Sequence, residues 1–352
     1  LAPYRRFRAP QEDGQTLVEP PRAALAEVVE RNRQHVATLE YEFQGRSLSE
    51  LAASARHSLV ERATAYTSQY RDIQPPPADA ASRPLVLSGH QPQLFHAGVW
   101  YKNFVLGSLA REVDGLGVHL LIDSDLCRTA SIRIPTGTVD RPRMESIEFD
   151  GPGADVPYEE RAVVDEAAFD SFAGRVAERI RSLVAEPVIE EFWRLVRDDG
   201  RRERNLGLRL AHGRHRLEAE WGNDTLELPQ SAVCQLPEFG WFVAHLLAHL
   251  PRFWAAHNDA LADYRRAHHL RNRAQPVPDP AEADGWLEAP FWMWTADDPR
   301  RQPVFARQQG DQLLLSDRHQ HTVALALSAD GEAATAVGQL ADLADRGIKL
   351  RT

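Results

Sequence analysis

Pro84-Leu85-Val86-Leu87-Ser88-Gly89-His90-Gln91-Pro92-Gln93-Leu94-Phe95-His96-Ala97-Gly98-Val99-Trp100-Tyr101-Lys102-Asn103 carries the reading of the whole chain. An apolar run of strand character at 84–88 enters a polar loop with glycines, and 99–109 returns to helical spacing. Residues 118–122 are a second apolar run that stops at Asp123-Ser124-Asp125. Strand, loop, helix and strand in this order predict a β-α-β unit, which is nearly always parallel and right-handed. Both polar segments then fall at the carboxyl ends of neighbouring strands, the edge where open α/β sheets bind ligands. The expected fold class is α/β, a Rossmann-like parallel sheet with helical insertions.

Upstream, Leu25, Val28, Val29, Val36 and Leu39, then Leu48, Leu51, Leu59 and Ala63, predict two helices over 20–45 and 47–70. The following Pro75-Pro76-Pro77 ends them, since proline lacks an amide donor and restricts the residue before it. The expected organisation is an N-terminal helical arm at 1–75, the first part of the core at 80–160, a mainly helical insertion at 161–280, and a return to the core at 285–352. The insertion includes helices over 165–198, 239–257 and 258–266. In the last segment, strands are expected around Phe291-Trp292, Val304-Phe305, Leu313-Leu315 and Val323-Leu325, and a helix at 334–345 stops at Gly347. Ile348-Lys349-Leu350 opens one more strand, so the core reads as cut short at its carboxyl end.

In 352 residues, 41 Lys plus Arg stand against 51 Asp plus Glu, and the formal charge of -10 opposes a nucleic-acid backbone. The Arg-rich stretch 201–216 lacks interleaved aromatics and reads as an element with one solvated face, so no nucleic-acid partner is expected. Cys127 and Cys234 have no CxxC neighbour, which fits a reducing cytoplasm and neither a disulfide framework nor a cysteine zinc site. No apolar run has the length a bilayer requires, and no membrane partner is expected.

The opening loop holds most of the candidate chemistry. Gly89 is placed for positive φ, Gln91 offers donor and acceptor, and Gly98 permits close backbone approach at a helix start. With Lys102, Asn103 and Asp123 these residues form the expected anion- or substrate-binding set, while His90, His96 and Asp125 are the expected catalytic groups. Asp123 and Asp125 also suit a magnesium ion, and a nucleotide suits such a loop, so the cofactor stays open. His96-Ala97-Gly98 echoes the HxGH signature of nucleotidylyltransferases, with Val99 in place of the second histidine.

Other motifs read as structural. His245 and His249 have the one-turn spacing of metal sites, but the glutamate of HExxH is absent and Phe242, Leu246, Leu247 and Leu250 surround them with an apolar stripe. Trp286, Trp292 and Trp294 read as core or interface, and Cys127 as a small buried residue. No Walker A, GxGxxG or GxSxG segment occurs.

Ser88-Gly89-His90-Gln91 with Phe95-His96-Ala97-Gly98, followed by Leu121-Ile122-Asp123-Ser124-Asp125, resembles the bacillithiol biosynthesis cysteine-adding enzyme family. That family carries a Gly-Gln-Gln…Gly loop and then a strand ending in an acidic cluster. The Gly89-His90-Gln91-Pro92 run is also similar to the HQP loop of WbqC-like proteins. The resemblance covers about 80–135 and, more loosely, 285–352. It implies a nucleotidylyltransferase-like Rossmann core and a ligase that joins a small amine or amino acid, cysteine by analogy, to a sugar conjugate or carboxylate. The alternative is a non-catalytic nucleotide- or sugar-nucleotide-binding module of the same fold. A small molecule is the expected partner, with homodimer formation through the helical arms left open.

Overall fold

The computed structural model describes residues 7, 8, 10–94, 97–153, 155–200 and 203–352. In chain order its first elements are α1 (Leu25–Ala37), α2 (Leu48–Thr67), β1 (Leu85–His90), α3 (Ala97–Glu112) and β2 (Leu116–Leu121). Short strands β3 (Leu126–Cys127), β4 (Ser131–Thr138), β5 (Arg141–Glu148) and β6 (Val156–Pro157) follow. Next come α4 (Glu166–Ile180), α5 (Ile189–Asp199), α6 (Leu206–Glu220), β7 (Leu226–Pro229) and α7 (Gln230–Val233). The remainder is α8 (Pro237–Ala248), α9 (Leu250–Ala267), β8 (Glu282–Ala283), β9 (Trp286–Thr295), β10 (Gln302–Gln309), β11 (Gln312–Ser316), β12 (Thr322–Leu325), α10 (Ala334–Asp345) and β13 (Ile348–Arg351). The chain divides into two compact units: Arg56–Val233 with Ala296–Arg300, and Leu1–Ala55 with Cys234–Thr295 and Arg301–Thr352.

The first unit is built on a three-stranded parallel sheet of order β1-β2-β7. Its β1-α3-β2 step is the one read from the sequence. The glycine at position 89 needs no positive φ, contrary to expectation, because it lies inside β1. Its constraint is space: a Cβ there would come within 3.2 Å of Ile122 Cδ1 and the Leu120 carbonyl oxygen. Leu59, Ala63 and Tyr66 pack with Val118, Leu226 and Leu228, so the later part of α2 is core rather than arm.

The third strand, β7, was not anticipated, and the chain between β2 and β7 is the true insertion. It holds the β4–β5 hairpin and the α4, α5 and α6 helices around Phe169, Phe172, Trp193, Leu206 and Leu217. Side-chain caps set two helix starts: Asp165 accepts from the Ala168 amide at 2.9 Å and Asn205 from the Leu208 amide at 2.9 Å. The Arg-rich stretch has no solvated basic face in α6, where Arg209, His212, Arg214, His215 and Glu218 are all buried. Ionic partners inside the unit, described below, make that burial tolerable.

One buried group lacks such compensation. His119 on β2 is 1% exposed and neither ring nitrogen has a hydrogen-bond partner among the described residues. Burial, helped by Arg214, Lys102 and His90, holds its pKa well below 6.5, so it is neutral near pH 7. An unpaired buried polar group costs about 1–3 kcal/mol. His119→Leu, with similar volume, is therefore expected to raise the urea midpoint of this unit and to weaken its loss of stability below about pH 6.5, both measured by urea titration across pH.

Residues 285–352 do not return to the parallel sheet. They form a separate antiparallel sheet of order β12-β11-β10-β9-β13, with β8 on β9, in the second unit. Its strands were legible, but their partners are one another. Leu247, Phe291, Met293, Val304, Leu315 and Leu325 lie in its core with residues of α8, α9 and α10. The helix expected over 239–257 breaks at His249, because Pro251 occupies the first turn of α9 and has no amide for a continuing helix. Gly347, at φ 69°, ends α10 as expected. Trp294 is core, while Trp286 and Trp292 lie under Arg307 and Arg301, whose guanidinium carbons are 4.7 and 4.0 Å from the ring centroids. Among the described residues no helix is long and apolar enough to cross a membrane.

Candidate active site at the strand ends

Because β1, β2 and β7 are parallel, the segments after His90, Leu121 and Pro229 emerge on one edge of the sheet. Gln91 and Asp125 meet there: the Gln91 carboxamide donates to Asp125 Oδ2 at 2.8 Å, joining the loop after β1 to the loop after β2. The Leu126 amide donates to Asp125 Oδ1 at 2.8 Å. Backbone bonds fix the same loop from outside, since Tyr158 N donates to the Asp125 carbonyl at 2.9 Å and Glu159 N to the Asp123 carbonyl at 2.8 Å. Asp125 is half-buried, so its carboxylate is oriented yet still within reach of solvent.

Asp123 has a different role. It is 3% exposed, and its two oxygens accept from Ser231 N at 2.9 Å and Ser231 Oγ at 2.5 Å. It anchors the turn after β7, while Ser124 Oγ donates to Gln230 Oε1 at 3.0 Å. Every carboxylate oxygen of Asp123 and Asp125 thus already accepts a hydrogen bond from within the unit.

The remaining predicted residues separate. Lys102 donates to the Gly89 carbonyl at 2.7 Å, tying α3 to the end of β1, and burial lowers its pKa from the ordinary lysine value. His90 Nδ1 lies 3.2 Å from the Gln91 carbonyl oxygen, the geometry of an imidazole N–H donating to it. Gly98 is exposed in the first turn of α3, and His96 lies outside the described residues. Asn103 does not belong to the edge: it is buried and donates to Glu218 Oε1 at 2.8 Å.

Asn103 leads into a buried network that sequence reasoning missed. Glu218 Oε1 also accepts from Trp100 Nε1 at 2.7 Å and Arg214 Nη1 at 2.8 Å. Arg214 pairs a second time with Glu227 on β7. His215 Nε2 is 3.0 Å from the Thr225 carbonyl, which can only accept, so Nε2 carries the proton and Nδ1 accepts from Tyr70 Oη at 2.7 Å. Burial, with Arg71 and Arg214, lowers His215 well below 6.5, in keeping with that neutral tautomer. Burial raises Glu227, and Arg214 opposes the rise. The available signal was the Arg214-x-x-x-Glu218 spacing on one helix face, but its buried partners Trp100, Asn103 and Glu227 lie far off in sequence.

A cavity of about 210 Å³ adjoins the loop after β1, lined by Gln93, Leu94, Trp100, Ile132, Ile189 and Phe192, with Val188, Leu210 and Arg214 completing it. Tyr158 Oη donates to Gln93 Oε1 at 3.1 Å, and burial pushes that phenol up, so it remains a donor at neutral pH. Cys127 is buried and burial raises its thiol as well. His245 lies 4.5 Å from Phe43 and 4.6 Å from His249 between ring centroids, and no group of three or more metal-ligating side chains occurs among the described residues.

The chain matches no known family model and no curated protein sequence. What the edge can do chemically rests on its own groups: a fixed carboxylate at Asp125 for an ammonium or hydroxyl, an imidazole at His90 for proton transfer, and a lysine at the start of α3.

Proposed function

We propose that the protein is a ligase of the cysteine-adding type on a Rossmann-like, nucleotidylyltransferase-like core. It takes a small amine or amino acid, cysteine by analogy, and joins it to a sugar conjugate or carboxylate. The observation that carries this reading is the Gln91–Asp125 hydrogen bond of 2.8 Å, which fixes a half-buried carboxylate where the two strand-end loops meet. A carboxylate so held binds an ammonium group and orients its nitrogen. In the proposed reaction the ammonium gives one proton to His90, the freed electron pair forms the bond to the carboxyl carbon, the nitrogen sheds its second proton to solvent, and a carboxyl oxygen leaves bonded to the phosphorus of the activating group. The oxygen leaves readily only from an activated acid, and a nucleotide is the class of co-reactant that supplies activation. Lys102, which donates to the Gly89 carbonyl at 2.7 Å, is a cation at the end of β1 for the anionic partner.

Calorimetric titration with cysteine, other small amines and nucleotides tests this. Asp125→Asn is expected to weaken amine binding roughly 10- to 100-fold, the effect of losing a hydrogen bond to a charged group, with nucleotide binding unchanged. Tight nucleotide binding with no turnover on any amine and acid pair would favour the non-catalytic module instead. Equal amine affinity in the wild type and Asp125→Asn would overturn the assignment of the amine to Asp125.

A further inference from the structure

We infer that the cavity beside the strand-end loop is a specificity subsite that takes an aryl or branched aliphatic group of about six to eight carbons on the amine substrate, so the amine selected is larger and more apolar than cysteine. This rests on the functional reading above for the amine, but the cavity argument stands on its own geometry. The volume is about 210 Å³. A dry cavity of roughly 150 Å³ lined by Leu, Ile and Phe holds benzene, so this one holds a ring with one or two further atoms.

The lining decides the chemistry. Leu94, Trp100, Ile132, Ile189, Phe192 and Leu210 supply apolar surface on several sides. The polar ends of two lining residues are directed elsewhere: Trp100 Nε1 donates to Glu218, and Arg214 is paired with both Glu218 and Glu227. Arg214 is 5% exposed, and its charge is matched by those carboxylates inside the unit, so the cavity does not call for an anion. Gln93 provides the polar rim, and its side chain is held by Tyr158. Only Pro92 separates Gln93 from Gln91, the partner of Asp125, so one short loop carries both the rim of the apolar pocket and the contact to the ammonium receptor. A ligand with an amine at one end and a compact apolar group at the other satisfies both.

The test compares methylamine, 2-phenylethylamine and benzene as probes, with dissociation constants read by ligand-observed NMR. In the wild type, 2-phenylethylamine is expected to bind about 10-fold more tightly than methylamine, as burial of most of a phenyl group against these walls predicts. Benzene alone should bind the wild type and Asp125→Asn equally. Val188 is 44% exposed, so Val188→Trp closes the cavity from its rim without overpacking the core, and Leu210→Phe fills it from within. Either change should abolish benzene binding and bring the two amines to within a few-fold of one another, with methylamine affinity retained. Absence of benzene binding to the wild type, or equal benzene binding to the wild type and both folded variants, would overturn the subsite. Benzene binding lost in the variants, combined with amine affinities indifferent to Asp125→Asn, would uphold the cavity and remove the functional reading instead.

Discussion

Arg214→Met is expected to lower the stability of the parallel-sheet unit by about 3–5 kcal/mol, the usual cost of leaving a buried charge without its partner. Methionine fills much of the arginine stem, so the loss reports on charge more than on volume. Glu218 would keep Trp100 and Asn103 as donors, but Glu227 would lose its guanidinium, and the Tyr70 hydroxyl 3.2 Å away already donates to His215. Urea titration followed by amide exchange in β2 and β7 measures the change. The deficit should also depend on pH. Glu227 is raised from 4.5 in the folded state, so its favourable contribution is complete below 4.5 and disappears as pH rises through the folded value. Removing Arg214 removes an influence that lowers Glu227, which deepens that loss. His119 and His215 are lowered from 6.5, so theirs is complete above 6.5 and disappears as pH falls. Arg214 contributes to both depressions, and without it the acid loss shrinks. Both effects make the gap between variant and wild type widest at neutral pH and narrowest in acid. A gap that does not change with pH would mean that Arg214 acts through packing alone.

The part of this fold that was legible in the sequence, and the part that was hidden, follow from how far each interaction reaches along the chain. The β1-α3-β2 step is local, with alternation, a glycine loop and a stop at acidic residues, and its register and direction follow from the short crossover. β7 carries Glu227 in the middle of four buried residues, so its pattern does not look like a buried strand until Arg214 is brought opposite it. The α6 helix misled for the same reason: Arg209, Arg214 and His215 count as solvated residues unless their partners are known, and Glu166, Glu227 and Tyr70 lie 43, 13 and 145 positions away. In the antiparallel unit each strand was visible, but nothing in a strand's own residues says which sheet it joins. At the site, Gln91 and Asp125 were named from residue type and from their place after two neighbouring parallel strands. The distinction between Asp125 and Asp123 was not legible, because Ser231, which occupies Asp123, arrives on the α7 turn 108 residues later.

Trp193→Ala is the second change expected to cost about 3–5 kcal/mol, this time through a cavity and not a charge. Trp193 on α5 is 1% exposed and donates its indole N–H to the Phe169 carbonyl at 2.6 Å. Its ring centroid lies 4.5 Å from that of Phe172 and 4.7 Å from that of Phe169, so deletion removes the shared neighbour of two α4 aromatics. Collapse to refill the space is opposed by α5 and α6, which pack against one another at Val196 and Gly213: a Cβ on that glycine would lie 2.4 Å from Val196 Cγ2. Two residues of the same α5 helix, Ile189 and Phe192, are walls of the apolar cavity. Loosening α5 should therefore reduce 2-phenylethylamine affinity while leaving methylamine affinity nearly unchanged. Trp193→Phe keeps most of the ring contact and should lose less stability and little of the aryl preference. Urea titration and the same NMR probes separate these outcomes. If Trp193→Ala lost stability on this scale and kept the full aryl preference, the cavity wall would not depend on how α5 is packed.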